Sequence, residues 1–404
     1  MNSIGSTRRV RRHRLLTTVC LVAVTSMIAA ACGGAPEDGA RDDGSGPFIV
    51  YASLGVSGAD STFAPAIKAG LEAAITEIND RGGLLGREVR LEQDNNESDP
   101  TKAVSLLQNR IRETPPNLVW AGTSSSESLA MQGLTTRAKV MSLNNGSATE
   151  LGDAGTFPYS FTAGVRFQAV ADYLSAYLKD KGYKKVGVLA GDDPAGEAAA
   201  KLYRETFEPA GLEVFTESYE SGAVEVDGPL ARLGADKPDV VVFNTTYHAE
   251  PILKSRVKVG MGTVPFVGDV STTVRSVDQT LNEAEKAGVE LTTYDVNSST
   301  TDRPGVDNLI ESLNAAGVQY TTALLMYALA YDPVLAYANA VESVGSTDVD
   351  KVRAAMEADA GDTYQLSLAD DLGWTDTDHL SSGEGRFLTI PVAQLVAGRF
   401  QFGN

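Results

Sequence analysis

The chain has few residues of the kinds that cross-link a fold or bind a metal. Its 404 residues include two cysteines, Cys20 and Cys32, and three histidines. Cys20 lies in an N-terminal segment that has the features of a removed signal, so we expect the mature fold to rest on core burial rather than on disulfides. Beyond that segment the histidines are His248 and His379, without H-x-x-x-H spacing, which argues against a histidine-based metal site.

Motifs for catalysis and nucleotide binding are also missing. The sequence contains no G-x-G-x-x-G at the first helix, no G-x-x-x-x-G-K-[ST] and no G-x-S-x-G. His379 is predicted to be a solvated loop residue, and the nearby Asp371, Asp376 and Asp378 are interpreted as solvated acids, with a weak cation site as the alternative. We therefore expect a binding protein rather than an enzyme, with no cofactor and no metal.

The N-terminus has the composition of an export signal. "TRRVRRHR" carries five arginines and no acid, residues 15–31 carry no charge, and "AAACGG" follows. The three alanines before Cys32 resemble a bacterial lipoprotein box, although Ala29 stands where leucine is more usual. Plain secretion, a membrane anchor and twin-arginine export are the alternatives. We predict a signal peptide at 1–31 and a lipid on Cys32 that anchors the chain to the outer face of the cell membrane.

Positive charge is scarce in the rest of the chain. The net charge is −19, and it becomes more negative when the five signal arginines are removed. This balance argues against nucleic acid and anionic membrane surfaces as partners. Residues 32–47 are rich in glycine and acids and are predicted to form a flexible tether. The remaining length, roughly 360 residues, suits two hydrophobic cores rather than one.

From Phe48 onward, short apolar runs alternate with amphipathic stretches. Residues 48–144 predict the order βαβαβαβ, including a helix whose inward face carries Ile67, Leu71, Ile75 and Ile78. A second, similar set follows from about residue 165, then a long apolar helix within 320–345 and a closing hairpin that turns at residues 397–398. The alternation predicts an α/β fold with two doubly wound parallel sheets.

Three short polar loops follow predicted strands of the first set: "GVSGADSTF", "GTSSSES" and "NNGSATE". Ligands of open α/β sheets bind at the carboxyl ends of the strands, where helices begin. Backbone N–H groups at a helix start, together with hydroxyl groups, can hold an anion without a positive side chain. Each loop alone could simply cap a helix, but three loops at one edge of a sheet favour a pocket.

The segments "GLEAAITEINDRGGLLGREVRLEQDNNESDPTKAV", "GTSSSESLA", "KKVGVLAGDD" and "AYDPVLAYANAVE" resemble the type I periplasmic solute-binding proteins of the branched-chain amino acid group. The resemblance implies two α/β lobes, joined by three crossings, that close around a small solute for an ABC importer. The crossings are expected near 163–166, 288–291 and 376–385. Lobe one would comprise 48–164 and 290–378, and lobe two 165–289 and 379–404.

In lobe one, the resemblance implies that the serine run holds the solute's α-carboxylate. The hydroxyl that does so falls on Ser125, and Thr123 and Ser124 contribute backbone or wall. The second half of this clamp falls on residues after the next strand, namely Asn145, Gly146 and Ser147. An aromatic wall near the cleft mouth falls on Phe63. The alternative for Ser125 is that it merely caps the helix that begins near it.

Lobe two departs from the family pattern. Ala195 stands where amino acid receptors place a tyrosine over the ligand, and the next aromatic position falls on Thr245, with Tyr247 two residues along. The acid that pairs with the α-ammonium falls on Asp269, or on Val270 if the match shifts by one residue. A buried ammonium without a partner costs about 3 kcal/mol or more. The solute is therefore not expected to be an ordinary α-amino acid unless Asp269 points into the cleft.

The resemblance therefore implies a lipid-anchored extracytoplasmic receptor that delivers a small carboxylate-bearing solute, an amino acid or a relative of one, to an ABC permease. Members of the family are usually monomeric. Two alternatives are a ligand sensor of the same fold that acts on a signalling partner, and an enzyme on a doubly wound fold. Neighbouring permease and ATPase genes would favour the importer over the sensor.

Overall fold

The computed structural model describes residues 46–245, 249–274, 281–298, 302–319, 322–381, 387–392, 395–396 and 399–400. The predicted signal peptide, Cys32 and most of the tether lie outside these residues. So do Tyr247 and the hairpin turn at residues 397–398. The described part has two main sheets with helices between their strands, which confirms the predicted α/β class.

The first sheet contains five parallel strands in the order β2-β1-β3-β4-β5. Its strands are β1 (Phe48–Leu54), β2 (Val89–Asn95), β3 (Leu118–Ala121), β4 (Met141–Asn144) and β5 (Ser160–Thr162). The helices between them are α1 (Ala64–Asp80), α2 (Pro100–Glu113) and α3 (Ser125–Ala138). The order places the first strand between the second and the third, so the direction of winding changes between β1 and β3.

Local sequence signals explain where these helices begin and which face they bury. The four isoleucine and leucine positions predicted for the inward face of α1 are all buried. Asp99 precedes α2, and its carboxylate accepts hydrogen bonds from the N–H groups of Thr101 (2.7 Å) and Lys102 (3.3 Å), while Pro100 occupies the first turn. These are the cap and the first-turn residue that helix starts favour.

The second sheet contains six strands in the order β11-β10-β9-β8-β6-β7. Its strands are β6 (Lys185–Gly191), β7 (Glu213–Tyr219), β8 (Val240–Phe243), β9 (Phe266–Gly268), β10 (Val289–Tyr294) and β11 (Phe387–Pro391). The accompanying helices are α4 (Phe167–Asp180), α5 (Pro194–Phe207), α6 (Asp227–Ala235), α7 (Glu250–Lys258) and α8 (Glu283–Lys286). Strand β11 runs antiparallel to β10, and the other pairs are parallel.

Three later helices return to the first sheet. They are α9 (Pro304–Ala315), α10 (Leu324–Val344) and α11 (Val349–Glu357). Helices α9 and α10 both pack against α1, and a Cβ atom at Gly70 of α1 would lie 2.2 Å from the Tyr327 carbonyl oxygen, so only glycine permits this approach. Helix α10 is long and apolar enough to cross a membrane, but 89% of its most apolar window is buried inside the protein, as in a core helix.

Of the three expected crossings between the sheets, the first is where the sequence predicts it. Residues 163–166 join β5 to α4, as predicted. The prediction of a crossing at 288–291 is wrong, because Val289, Glu290 and Leu291 pair with β9 as part of the second sheet. The chain leaves that sheet after Tyr294. Sheet membership therefore argues for ending lobe two after β10, while the division into lobes itself stays a prediction.

The third connection follows a short segment that lies beside the first sheet. Leu380 forms a parallel bridge with Thr162 of the first sheet, and Phe387 begins β11 of the second sheet. Residues 382–386, on which part of the predicted crossing at 376–385 falls, lie outside the described residues. The segment "LTIPVAQLVAGRFQF", predicted to form the closing hairpin, does so only in its second half, because Leu388 and Ile390 in its first half pair with β10. A separate antiparallel pair, β12 (Leu395–Val396) and β13 (Arg399–Phe400), forms the second half.

Candidate solute-binding cleft

The serine loop (residues 122–126) leads from β3 directly into α3. The helix begins at Ser125, and its N-cap is Ser124, which makes no side-chain cap bond. Ser125 Oγ instead accepts hydrogen bonds from the backbone N–H groups of Ser147 (3.0 Å) and Ala148 (3.3 Å). The alternative that Ser125 merely caps its own helix is therefore wrong, since its hydroxyl joins two loops.

The β4 loop (residues 145–148) contacts the serine loop and is fixed by residues at the ends of β4 and β5. Thr162 Oγ1 donates to the Gly146 carbonyl (2.7 Å), and the Gly146 N–H donates to Asn144 Oδ1 (3.0 Å). A Cβ atom at Gly164 would lie 1.8 Å from the Gly146 carbonyl oxygen. The loop therefore requires glycine at position 164. The Asn145 side-chain oxygen is buried and has no hydrogen-bond partner in the described part of the chain.

The β1 loop (residues 55–63) closes the other side of the serine loop. Thr123 is buried, and its Oγ1 accepts a hydrogen bond from the Gly55 N–H (2.9 Å). The loop includes a short 3₁₀ turn at Ala59–Thr62. Phe63 follows this turn directly before α1, is partly buried and packs against the core. The structure thus brings Thr123, Ser124, Ser125 and the β4 loop together, with Phe63 at the far end of the β1 loop.

Glu127 is a buried acid that the sequence interpretation missed. It lies in the first turn of α3 with 0% exposure, and its Oε2 accepts a hydrogen bond from the Thr123 N–H (2.6 Å). Burial raises the pKa of this carboxyl, the Thr123 N–H and Asn96 oppose that rise, and the neighbouring Asp60 adds to it. An acid at the third position of a helix that follows a serine is a familiar capping signal, so its burial could not be read from the pattern.

In lobe two, the start of α5 is occupied by the chain's own carboxylate. Asp193 Oδ1 accepts hydrogen bonds from the N–H groups of Ala195 (3.0 Å) and Gly196 (2.9 Å), and Oδ2 accepts one from the Ser221 hydroxyl. Ala195 itself is exposed in the first turn of the helix. Because the N-terminal dipole and N–H groups of α5 already face an anion, this end of lobe two is poorly suited to a solute carboxylate.

Asp269 is fully buried after β9 and lies within a network of lobe two. Its carboxylate accepts hydrogen bonds from Asn244 Nδ2 (2.7 Å), the Ser271 N–H (3.0 Å), the Ser271 hydroxyl and the Tyr203 hydroxyl (2.5 Å). Burial raises its pKa, and these hydrogen bonds oppose the rise. The donors occupy both oxygens of the carboxylate, so its hydrogen-bonding capacity is used within its own lobe.

The three remaining residues predicted for lobe two are either buried or outside the described residues. Thr245 is buried, and its N–H donates to Ser271 Oγ (3.3 Å), which joins it to the Asp269 network. Val270, the alternative to Asp269, is a buried apolar residue. Tyr247 lies outside the described residues. Sequence position alone therefore placed these residues near the strand ends but did not give the direction of their polar groups.

Comparison with known proteins identifies the fold and the family together. A model of the family described as "Periplasmic binding protein" matches residues 52–391. The chain belongs to the periplasmic binding protein family. Several relatives carry the name Leu/Ile/Val-binding protein, which confirms the predicted resemblance, and the family confirms the prediction of a binding protein rather than an enzyme.

Individual relatives of this periplasmic binding protein are distant. The Leu/Ile/Val-binding protein BraC3 of Rhizobium johnstonii is 25% identical over 205 residues, which are 50% of this chain but only 55% of that protein. Leu/Ile/Val-binding protein homolog 3 of Brucella melitensis is 24% identical over 331 residues, covering 81% of this chain and 87% of the relative. An extracellular ligand-binding receptor from Rhodopseudomonas palustris has a TM-score of 0.68 at 17% identity, covering 88% and 99% of the two chains.

His379 of this periplasmic binding protein is not a solvated loop residue, so that prediction is wrong. Its side chain is 0% exposed and stacks on Phe161, with ring centroids 3.8 Å apart. One ring nitrogen lies 2.9 Å from the Ser160 carbonyl oxygen and the other 3.2 Å from a Glu357 carboxylate oxygen. Burial lowers its pKa, although Glu357 opposes that change. The His379 ring thus fixes its own segment against β5 and α11.

The acids near His379 do not assemble a cation site. Asp378 pairs with Arg166, whose Nη2 lies 2.8 Å from Oδ2, and the described residues include no group of three or more acids, histidines or cysteines that could hold a metal. A cavity of about 560 Å³ lies elsewhere, between α10, α11 and residues 359–374. None of its lining residues belongs to the serine loop, the β1 loop or the β4 loop.

Proposed function

We propose that the protein is the extracytoplasmic solute-binding component of an ABC importer and that it binds a small carboxylate-bearing solute between two closing lobes. The Leu/Ile/Val-binding names of its relatives support an amino acid or a relative of one. The serine loop and the β4 loop hold the carboxylate on the lobe-one side. Closure of lobe two over the solute stabilises the bound state, which the permease then recognises.

The hydroxyl of Ser125 carries this proposal. A serine hydroxyl accepts up to two hydrogen bonds and donates one. Ser125 Oγ already accepts from the N–H groups of Ser147 and Ala148, so what remains to it is the donor function. Two N–H groups that point at the oxygen also polarise its O–H bond. This hydroxyl therefore suits an acceptor such as a carboxylate, and it is poorly suited to an ammonium or an amide N–H.

Lobe two supports a broader solute class than α-amino acids. In the family pattern Asp269 is the counter-ion of the ammonium, but here Asn244, Ser271 and Tyr203 use its oxygens. A solute ammonium would have to displace one of these donors, and the displaced group would lose its own partner. We therefore expect acids that lack an amine to bind at least as well as their amino acid counterparts.

The export signal and Cys32 complete the proposal. A lipid on Cys32 would hold the protein at the outer face of the membrane, where an importer meets its solute, and residues 32–47 would give it reach. The solute and the permease are its proposed partners, with no nucleic acid, and the proposed state is a monomer. Mass spectrometry of the protein from membranes would detect the lipid, and release by a Cys32→Ala substitution would confirm its role.

The solute class can be tested by thermal stabilisation of residues 33–404. A panel of amino acids and of the matching acids without the amine is added, because a solute at a hundred times its Kd stabilises by about 2.7 kcal/mol. Ser125→Ala should weaken binding of the best solute by about 1–3 kcal/mol, or ten- to a hundredfold. Ser126→Ala, which removes an exposed hydroxyl one residue away, is the matched control. Unchanged affinity in Ser125→Ala would remove the hydroxyl from the site.

A further inference from the structure

Glu127 lies at the point where the winding of the first sheet changes direction. Its carboxyl sits between the β1 loop and the serine loop, because a Cβ atom at Gly122 would lie 2.9 Å from Oε2 and one at Gly55 would lie 3.2 Å from Oε1. These glycines follow β1 and β3, which are neighbours in the sheet. In open α/β sheets, the crevice outside such a pair of strands is where ligands bind.

One oxygen of this carboxyl is not satisfied by ordinary hydrogen bonds. Oε2 accepts the Thr123 N–H, whereas Oε1 is buried and has no partner of normal geometry among the described residues. The polar groups that face the carboxyl are Asn96 and Asp60, and Asp60 is the charged one. A buried acceptor without a donor is unfavourable, and two ionised carboxylates this close repel each other.

A proton removes both problems. A protonated Glu127 has an O–H group that can donate toward Asp60, while its other oxygen continues to accept the Thr123 N–H. Asp60 belongs to the 3₁₀ turn of the β1 loop, and its N–H donates to Ser98 Oγ (3.0 Å), which in turn donates to the Ser57 carbonyl (2.9 Å). The proton would thus add a bond from α3 to the 3₁₀ turn of the β1 loop, next to the existing bond from the Gly55 N–H to Thr123 Oγ1 of the serine loop.

We propose that Glu127 is a positioning residue which, in its protonated form, holds the β1 loop against the serine loop, so that solute affinity depends on that proton. When Glu127 loses the proton, its carboxylate and that of Asp60 repel each other next to the loop that contains Ser125. The same charge also opposes a solute carboxylate at the start of α3. The raised pKa of Glu127 agrees with this geometry. The effect on solute rests on the proposed function, but the effect on the loops does not.

The first test measures stability without any solute. A carboxyl whose pKa is higher in the folded than in the unfolded state contributes stability that is complete at low pH and is lost as the pH rises through the folded pKa. The midpoint urea concentration of the wild type should therefore fall relative to that of Glu127→Gln as the pH rises from about 4 to about 8. Glu150→Gln, which removes an exposed carboxylate of the same lobe, should run parallel to the wild type. Parallel curves for the wild type and Glu127→Gln would overturn the proposal.

The second test measures affinity, with L-leucine and 4-methylpentanoate as probes. Wild-type affinity should fall by up to about tenfold per pH unit above the pKa of Glu127, whereas Glu127→Gln, which keeps a donor and an acceptor, should give a flat profile. Glu127→Ala should bind about tenfold more weakly or worse at every pH. A Glu127→Gln profile that follows the wild type would contradict the proposal. If neither probe binds while the stability curves diverge, the proposed solute class fails and the positioning role stands.

Discussion

Both main sheets, which we assign to lobes one and two, place acids and hydroxyls at the carboxyl ends of their strands, but the two sheets differ in how much of the hydrogen-bonding capacity of these groups is used. In lobe two, Asp193 and Asp269 accept from donors of their own lobe. In lobe one, the Ser125 hydroxyl accepts hydrogen bonds but its own O–H remains available to donate. Glu127 Oε1 is buried and accepts no hydrogen bond from the described residues. Similar polar sequences therefore give acids whose oxygens are used by neighbouring donors in lobe two, although the Asn244 side-chain oxygen is buried without a partner among the described residues, and a hydroxyl donor and an acid oxygen with unused capacity in lobe one. Unmet capacity, rather than polarity, is what points to a solute.

The largest expected effect tests whether Asp269 is structural. Asp269→Ala leaves the buried Asn244 amide, the Tyr203 hydroxyl and the Ser271 hydroxyl without their acceptor, so the free energy of unfolding should fall by about 3 kcal/mol or more. Urea unfolding of both proteins measures this. If Asp269→Ala kept the stability of the wild type but lost solute binding, lobe two would hold the solute's ammonium, and the comparison between the lobes would be wrong.

The next prediction, with a smaller expected effect, concerns a buried acid of lobe one that lies away from the strand ends and has its hydrogen bonds formed. Asp332 of α10 accepts from the Ser367 N–H (2.8 Å) and hydroxyl (2.7 Å) and from the Leu368 N–H (2.5 Å), and burial raises its pKa to about 6. Because the folded pKa exceeds the unfolded value, the contribution of Asp332 to stability is complete below about pH 4 and is lost as the pH rises through about 6.

Between about pH 4 and 7, the free energy of unfolding of the wild type should therefore fall by about 1–3 kcal/mol relative to that of Asp332→Asn. Urea titrations of the two proteins at several pH values measure the difference. The asparagine variant carries its own constant cost, since its amide places a donor near N–H donors, so the slope rather than the offset is informative. Equal slopes would mean that Asp332 titrates at the same pH in the folded and unfolded chains.

The smallest expected effect concerns the rim of lobe two. Ser221→Ala removes the hydroxyl that donates to Asp193 Oδ2 but leaves the two N–H donors of α5 in place. Stability should fall by about 0.5–1.5 kcal/mol, and affinity for the best solute should change by less than about threefold, or roughly 0.7 kcal/mol. Calorimetric titration and thermal melting measure the two quantities. A large loss of affinity would make this self-capped helix start part of the solute site.

Much of the fold could be predicted from local patterns, because periodicity and caps act over a few residues. The inward face of α1 and the Asp99 cap of α2 are of this kind. The crossing that the resemblance implies near 288–291 was misplaced because the sequence there does not indicate whether the strand that follows Gly288 joins the same sheet. That depends on pairing with β9, which is distant in sequence.

The positions of the candidate site residues could be expected from the sequence, but their hydrogen bonds could not. Ser125 and the β4 loop meet as the resemblance implies, yet the use of both acceptor positions of Ser125 depends on the path of a loop 22 residues away. The burial of Glu127 depends on glycines in two loops, and that of His379 on stacking against Phe161. The residues next to a single acid or histidine in a polar segment do not indicate whether contacts distant in sequence will bury it.

The most direct test of the central claim compares the best solute of the panel with its analogue in which a hydroxymethyl group replaces the carboxylate. Calorimetric titration gives the affinity of both compounds for the wild type and for Ser125→Ala. If lobe one holds the carboxylate through the Ser125 hydroxyl, the wild type should prefer the acid by a hundredfold or more, about 2.7 kcal/mol, and the variant should lose most of that preference. An undiminished preference in Ser125→Ala would contradict the account.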